Sequence, residues 1–471
     1  MGNDAKVTYD VLIVGGGTAG LPAAFAAAER GARVAIVEGT SRLGGTCAFS
    51  WGQMSGGGTR IQARKGIEDS AAMHYEDAKP ITGGTAKDAF LRLATELQGP
   101  LIDWLEDEGM VMAPDVPGTL FAHEPYTAAR LYWGNDRGQS ILEVLLRLLK
   151  PHIESGRVDV RLGCEMTALV TDDGGAVRGI RTSDGQEILA SNTVLTAGGY
   201  AANEKMFAAF HPDYKLYPGT WTHTKGSGIE AARGIGAATW NGENFSLAWA
   251  GFYDTTKDYP RYCGIGGLTP QARKPWEILV NQEGLRFQAE DEESYDRRER
   301  VLRAQTGNRA WLIFDDTIRQ KAPRLFIRWS DDEVAELYKS SKSIVRATTL
   351  EELARKCGIE DEAALKRTIE SYNRACDTGK DEFGRKHFPC KILNPPFVAV
   401  EIASYAVRGP VGLKVDIQFR VLDGNDRPIP NLYAAGEILG GGLFGKAAVA
   451  GMGITPALAF GKYLGEMILP L

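Results

Sequence analysis

The sequence predicts an α/β fold whose main domain is built from both ends of the chain, with an α+β segment inserted between them. Three observations carry this reading. Buried-strand and helix patterns alternate from residue 10 onward, the texture changes near residue 250, and the first texture returns after about residue 411. The length of 471 residues allows roughly two to four domains. Hydrophobic residues make up 44% and charged residues 24%, the balance of a globular protein.

The elements follow in order. Residues 10–14 (DVLIV) form a short apolar run ending at glycines, the pattern of a buried parallel strand. Residues 21–30 (LPAAFAAAER) are Ala-rich and helical, and Gly31 supplies the C-cap. Residues 32–37 (ARVAIV) read as a second buried strand, which completes a β-α-β unit. Phe90, Leu93, Leu97, Leu101 and Leu105 recur at helical spacing within 86–108, and a second such helix is expected over 140–153. Residues 158–170, 176–180 and 187–195 read as strands separated by DDGG and SDG turns, and 226–236 as a helix ending in glycine. Aromatics, charges and prolines then crowd 252–276. Residues 291–303 (DEESYDRRERVLR) are strongly charged, and helices are expected at 349–357 and 360–376. Residues 250–407 are therefore read as the inserted domain, between a first part at 1–249 and a C-terminal part at 408–471.

Composition excludes several classes. Lys plus Arg total 54 against 60 Asp plus Glu, a net charge of -6, so nucleic acid is not the expected partner. No run of about 18 apolar residues is present, and no membrane span is expected. MGNDAKVTYD lacks the apolar core of a secretory signal, and Lys6 stands where a myristoylation pattern needs Ser or Thr. A cytoplasmic, reducing location is expected. Cys47, Cys164, Cys263, Cys357, Cys376 and Cys390 show no CxxC spacing, and the histidines show no HxxxH. Free thiols and no metal site are expected.

The chemistry-bearing motifs begin with Gly15-Gly16-Gly17-Thr18-Ala19-Gly20, which fits GxGxxG after a strand and before a helix. Gly15 makes the tight turn, Gly17 lets a pyrophosphate approach the backbone, and Gly20 lets helix pack on strand, with Thr18 and Ala19 completing the loop. The helix N-terminus faces the phosphates. Glu38, at the end of the second strand, suits the adenosine ribose hydroxyls and disfavours a 2′-phosphate. Further signals choose FAD over NAD, and so a Rossmann-like FAD-binding domain. Ser41-Arg42-Leu43-Gly44-Gly45-Thr46 is a second glycine-rich turn, which a ligand as long as FAD requires. Asn431-Leu432-Tyr433-Ala434-Ala435-Gly436-Glu437 reads as a strand carrying an acid toward the ribityl chain. A final helix from about Gly453 brings a positive N-terminus to the flavin pyrimidine edge.

In order, VLIVGGGTAG, GGTCAFSWG, TVLTAGGYAAN, GSGIEAARGIGA, LVNQEGLRF, NLYAAGE and GITPALAFG resemble the flavoprotein family of succinate dehydrogenase and fumarate reductase, which includes the 3-ketosteroid dehydrogenases. The resemblance covers nearly the whole chain. It implies an FAD domain from both chain ends, a mobile capping domain, and hydride transfer at flavin N5 to or from a carbon beside an electron-withdrawing group. It further implies that Ala197 and Gly198 join the FAD contacts, that Gly453, Ile454 and Thr455 lie near the pyrimidine edge, and that the run 51–59, with Gly52, passes beside the ring. Thr46 or Ser50 would bond near N5, or serve as a plain loop hydroxyl. Members with covalent flavin carry a His near residues 46–48; here stand Thr46, Cys47 and Ala48, so the FAD is expected to be non-covalent.

The same resemblance bears on the substrate. The fumarate branch has an Arg in a GANRLGGNA-like loop, whereas this chain has Ala448; it has a His where this chain has Arg408. A carboxylate clamp needs paired cationic donors, so a C4 dicarboxylate is not expected. Ala450 to Gly461 (AGMGITPALAFG) matches the steroid branch, in which Gly451 would offer its N–H to a ketone oxygen. Ser294 takes the place of the fumarate branch's catalytic Arg. Tyr295 matches the steroid branch's tyrosine with a one-residue shift, and Arg297 and Arg298 follow. A cation beside a tyrosine lowers its pKa and suits it to proton transfer; the alternative is a half-buried helix residue. The steroid branch's second tyrosine position is Ala447, so Lys446 either polarises the substrate or faces solvent. Arg273 matches a proton-relay arginine, or forms a salt bridge. Tyr253, Tyr259, Tyr262 and Trp276 line an aromatic pocket or fill the cap core.

The expected function is an FAD-dependent oxidoreductase that reduces or forms a C=C bond beside a carbonyl, ene-reductase or 3-ketosteroid dehydrogenase-like, on a cyclic or aromatic enone or ketone. The alternatives are a fumarate reductase-like dicarboxylate enzyme, a non-catalytic flavin-binding electron-transfer subunit, and an amine or hydroxy-acid oxidase. No second GxGxxG and no haem motif is present, so an external electron donor or acceptor is expected. Direction stays open.

Overall fold

A computed structural model describes residues 9–120, 123–256 and 260–469. The chain divides into two compact units, one of Met1–Phe210, Trp221–Ser246 and Arg408–Leu471, the other of His211–Thr220 and Leu247–Val407.

The first unit is centred on a parallel sheet. Strand β1 (Tyr9–Val14), helix α1 (Gly20–Glu29) and strand β2 (Val34–Glu38) form its β-α-β unit. The parallel order is Pro428–Ala434, Glu187–Leu195, β1, β2, Val158–Leu162. All five residues of β2 are buried, as expected of a strand covered on both faces. Leu195 pairs with Val14 on one side and Ala434 on the other, so the end of the chain is stitched into the sheet that its beginning starts. The C-terminal helix Ile454–Met467 packs on α1.

Two expectations change here. Residues 158–170 are not one strand. Val158–Leu162 runs parallel to β2, the chain turns at Gly163 (φ +63°), and Met166–Thr171 pairs antiparallel with Val177–Thr182. Glycine is the residue that accepts such a φ without strain. The helix Ala71–Ile81 was not expected, because it buries only His74, Tyr75 and Ala78 and so shows little periodicity; Ser70 caps it by accepting from the Met73 N–H.

The second unit is built on an antiparallel sheet in the order Arg261–Gly264, Ala248–Asp254, Phe397–Tyr405, Arg309–Asp315, Ile278–Val280, with Ile344–Ala347 also on Phe397–Tyr405. Residues 211–220 belong to this unit rather than to the first part of the chain. Ala406 N–H donates to the Tyr217 carbonyl and Gly219 N–H to the Ala406 carbonyl, each at 2.8 Å, which fastens the segment beyond the end of Phe397–Tyr405. Helices Leu350–Cys357 and Glu362–Thr378 stand where periodicity placed them. Helix Asp331–Ser340 begins with a Ser330/Glu333 capping box, a signal present in the sequence but not read from it. Among the described residues no helix is long and apolar enough to cross a membrane, and no group of three or more His, Cys, Asp or Glu could hold a metal. None of the six cysteines is joined in a disulfide.

Candidate functional site

The turn after β1 has the shape a phosphate cradle needs. Gly15 has φ +105°, and a β-carbon there would stand 2.6 Å from the Thr196 carbonyl oxygen and 2.7 Å from Ala197 Cα. A β-carbon on Gly20 would stand 2.0 Å from the Gly15 carbonyl oxygen. Thr196 braces the turn from behind, donating its hydroxyl to that same oxygen at 2.7 Å. Ala19 is the N-cap of α1, and no side chain caps the helix; Leu21 N–H donates to the Gly17 carbonyl at 3.1 Å and Pro22 has none, so within the helix it is the Gly20 N–H that remains for an anion. The second glycine turn lies directly on the first. Gly44 N–H donates to the Gly16 carbonyl at 2.8 Å, and Gly17 and Gly45 face each other across a gap that no side chain fills. Gly198 (φ +77°) closes the third side at the end of Glu187–Leu195.

Two acids border this cradle. Glu38 is buried, and its carboxylate accepts from the Gly16 N–H at 3.0 Å and the Thr40 N–H at 2.9 Å, which aims the group and leaves lone pairs for a diol. Glu437 accepts from the Gly199 N–H, yet its Oε1 is enclosed and has no hydrogen-bond partner among the described residues. Desolvation pushes this carboxyl up to about 7, against the pull of the Arg408 guanidinium. An enclosed acceptor without a donor is uncommon in a folded protein, and a ligand hydroxyl would satisfy it. Two facing glycine turns, an uncapped helix start, one aimed acid and one orphaned acid fit FAD.

Around the second turn, Cys47 is buried, and its thiol is pushed up to about 12, which holds it protonated. Thr18 bonds this thiol. Thr46 lies in the short 3-10 turn Gly45–Phe49. The Ser50 hydroxyl donates to the Cys47 carbonyl at 2.9 Å and accepts from the Gly52 N–H at 3.1 Å, as a loop hydroxyl does. Near the C-terminal helix, Gly453 is the N-cap and Ile454 the first residue. Thr455 Oγ accepts from the Ser55 N–H at 2.8 Å and donates to the Gly451 carbonyl at 3.1 Å. Gly451 (φ +76°) is pressed on Ser55, where a β-carbon would stand 2.5 Å from its backbone nitrogen.

The substrate-oxygen candidates separate. Arg408 donates to the Met452 carbonyl at 3.1 Å and lies over Gly441, where a β-carbon would meet its Nε at 2.7 Å. Lys446 is exposed; its backbone N–H bonds the Thr85 hydroxyl and its side chain runs along Gly83, so it follows the solvent-facing alternative.

The second unit holds the proton candidates. Tyr295 is 7% exposed at the start of helix Tyr295–Arg303, and its hydroxyl accepts from the Trp249 N–H at 2.9 Å. The expectation that a neighbouring cation lowers its pKa is corrected. Desolvation dominates and raises it, although Arg298 pulls the other way. Arg298 is itself buried, donating to the Leu268 carbonyl at 3.0 Å with its guanidinium 5.2 Å from the Trp249 ring. Arg297 is exposed and pairs with Glu292 at 3.4 Å. Arg273 is 7% exposed and closed on Glu277 by bonds of 2.6 and 3.0 Å, a buried salt bridge, and it also donates to the Pro323 carbonyl at 2.8 Å and the Gly267 carbonyl at 3.2 Å, as the salt-bridge alternative describes. Tyr259 lies outside the described residues.

Sequence reasoning missed a buried polar chain in the first unit. Tyr126 donates to the Ala450 carbonyl at 2.6 Å, and His74 Nε2 lies 3.3 Å from its hydroxyl. Arg130, fully buried, pairs with Asp69 at 2.8 Å and Asp77 at 2.9 Å. Desolvation, helped by Arg130, lowers His74 to about 3, so the ring is neutral. His74 and Asp77 share the helix Ala71–Ile81, but Asp69, Tyr126, Arg130 and Ala450 come from outside it, so the polar chain assembles only in the folded protein.

Comparison with known proteins agrees with this geometry. A family model described as FAD binding domain matches residues 10–454. A probable fumarate reductase of Shewanella frigidimarina is 29% identical over 468 residues, covering 98% of this chain and 74% of that protein. Among solved structures, the open conformation of a flavocytochrome c3 fumarate reductase superposes with a TM-score of 0.78 at 27% identity, covering 99% of this chain and 78% of the other. A 3-ketosteroid-Δ4-(5α)-dehydrogenase from Rhodococcus jostii, in complex with 4-androstene-3,17-dione, gives 0.71 at 25%, covering 99% and 98%.

Proposed function

The chain belongs to the FAD-binding flavoproteins of the fumarate reductase and succinate dehydrogenase family, as an FAD-dependent oxidoreductase of CH–CH bonds, and from that membership we propose that its substrate is a cyclic or aromatic enone, or the matching saturated ketone. One observation carries this choice of substrate. The loop through Gly441 and Gly453 has no arginine of its own; the Arg408 guanidinium lies against it, while Ala448 stands where the fumarate branch has its second cation and Lys446 is exposed. A dicarboxylate needs two cationic forks, whereas one ketone oxygen needs one cation and an N–H.

Each residue then has a task. The backbone N–H groups of the first turn and the start of α1 hold the pyrophosphate, Glu38 takes the ribose hydroxyls, and Glu437 accepts a hydroxyl of the ribityl chain. Bound FAD supplies a two-electron carrier that gives or takes hydride. Arg408, with the Gly451 N–H, polarises the substrate oxygen, and charge that builds on that oxygen is met by the cation. Tyr295 holds or delivers the proton for the neighbouring carbon. Its raised pKa keeps it protonated at neutral pH, the state a donor needs.

The test is anaerobic visible absorbance of the purified protein with chemically reduced flavin. Return of the oxidised band with a steroid or aromatic enone and not with fumarate is the expected result. Return with fumarate would select the dicarboxylate reading, which the likeness to fumarate reductases favours. Bleaching of the oxidised protein by a saturated ketone would assign the dehydrogenase direction.

A further inference from the structure

We propose that the second unit carries a separate binding site for a small aromatic carboxylate, in a half-open cavity of about 540 Å³ lined by the helices Asp316–Lys321 and Asp331–Ser340 and by Arg346 of the strand Ile344–Ala347. Its lining residues all belong to the second unit and include none of the flavin-site residues.

Size, wall and charge each narrow the occupant. The volume lies within the range of about 300–1,000 Å³ typical of small-molecule sites. Phe314, Ile318, Phe326, Val334 and Tyr338 give an apolar wall suited to a ring system. Four arginines line the cavity against two carboxylates, so an anion is favoured over a cation. Three of the arginines have an acid partner. Arg273 is closed on Glu277, Arg319 pairs with Asp316 at 2.7 Å, and Arg324 pairs with Asp331 at 3.0 Å. Asp331 is 94% exposed, so that last pair is worth little and can yield.

Arg346 differs. Among the described residues no carboxylate lies within ion-pair reach of it, and its guanidinium is held over the Tyr338 ring, 4.8 Å from the centroid. A fork of N–H donors fixed by a ring matches a carboxylate in bidentate fashion, and part of its ordering cost is met before the ligand arrives. The Tyr338 phenol, which burial pushes up to about 12, keeps its proton and can donate to the same group. A carboxylate anchored at Arg346 and Tyr338 would leave its ring against Phe314 and Phe326.

The experiment is calorimetric titration of the FAD-loaded full chain with 2-naphthoate. One site is expected in the unaltered protein. Arg346→Ala should weaken it at least tenfold, and Ala335→Trp, which fills the cavity from an exposed helix position, should abolish it. Both variants should keep the flavin spectrum and turnover, and methyl 2-naphthoate should bind the unaltered protein at least tenfold more weakly than the acid. No heat up to millimolar probe, or equal affinity in all three proteins, would overturn the proposal.

Discussion

Gly461 of the C-terminal helix lies so close to the Ala19 carbonyl oxygen that a β-carbon on Gly461 would stand 2.1 Å from it. Gly465 meets the Ala23 carbonyl oxygen in the same way, at 2.3 Å. The two ends of the chain thus meet at the helix that opens the phosphate cradle, with bare backbone on one side. Gly461→Val should force the helices apart, cost about 2 kcal/mol or more as overpacking does, and strip the flavin. Thermal unfolding and flavin content measure this. Gly234→Ala, with nothing within 4 Å of the new carbon, is the control and should leave both nearly unchanged.

Glu437 should make the flavin-free protein sensitive to alkali. Its carboxyl titrates near 7 when folded, above the ordinary carboxylate value, so the folded state prefers the proton. The stability it contributes is present in full below the unfolded pKa and is lost as pH rises through about 7. The Tm of flavin-free protein should therefore fall between pH 5 and 8 more steeply than that of Glu437→Gln. Parallel curves would show that the group is not enclosed.

Arg408 acts on both sides of the site. Arg408→Gln should lower turnover of an enone by about 100-fold or more while FAD stays bound, as loss of a charge-stabilising donor does. It should also raise the Glu437 pKa further, since the guanidinium is what pulls it down. Ala448→Arg should add fumarate turnover where the parent has little. Stopped-flow reoxidation of reduced flavin reads each rate.

Tyr295→Phe separates proton transfer from packing. Removing the hydroxyl leaves the buried Trp249 N–H without its acceptor, at a cost of about 1–3 kcal/mol. Beyond that fall in Tm, enone turnover should drop while reoxidation by an artificial acceptor, which needs no proton donor, is unchanged. A lower Tm with normal turnover would make the residue structural.

His74 should make the protein acid-sensitive. Its folded pKa near 3 lies below the ordinary histidine value, so the unfolded chain takes up the proton first as pH falls. Stability should decline from about pH 6.5 toward 3. Replacing His74 with Gln should flatten that part of the Tm profile.

Much of the flavin cradle was legible because it is local. A turn with φ +105° and a 2.0 Å approach to Gly20 accepts only glycine, so the residue type records the backbone shape directly. The acids Glu38 and Glu437 were picked out for a similar reason, Glu38 as the last residue of β2 and Glu437 as the acid three residues past the strand Pro428–Ala434. The helix Ala71–Ile81 and the break at Gly163 were not, because few buried residues and one glycine leave almost no periodic signal.

The sequence by itself determined the α/β class, the cofactor and the chemical family, since these rest on glycine turns and strand patterns read within a few residues and on their order along the chain. Tertiary structure alone decided the states of the charged groups. Arg273 is spent on Glu277, Arg130 is neutralised by Asp69 and Asp77, and Tyr295 is raised rather than lowered. The physical reason is that a side chain's charge depends on desolvation and on partners brought from distant elements, and that balance exists only once the core has closed around it.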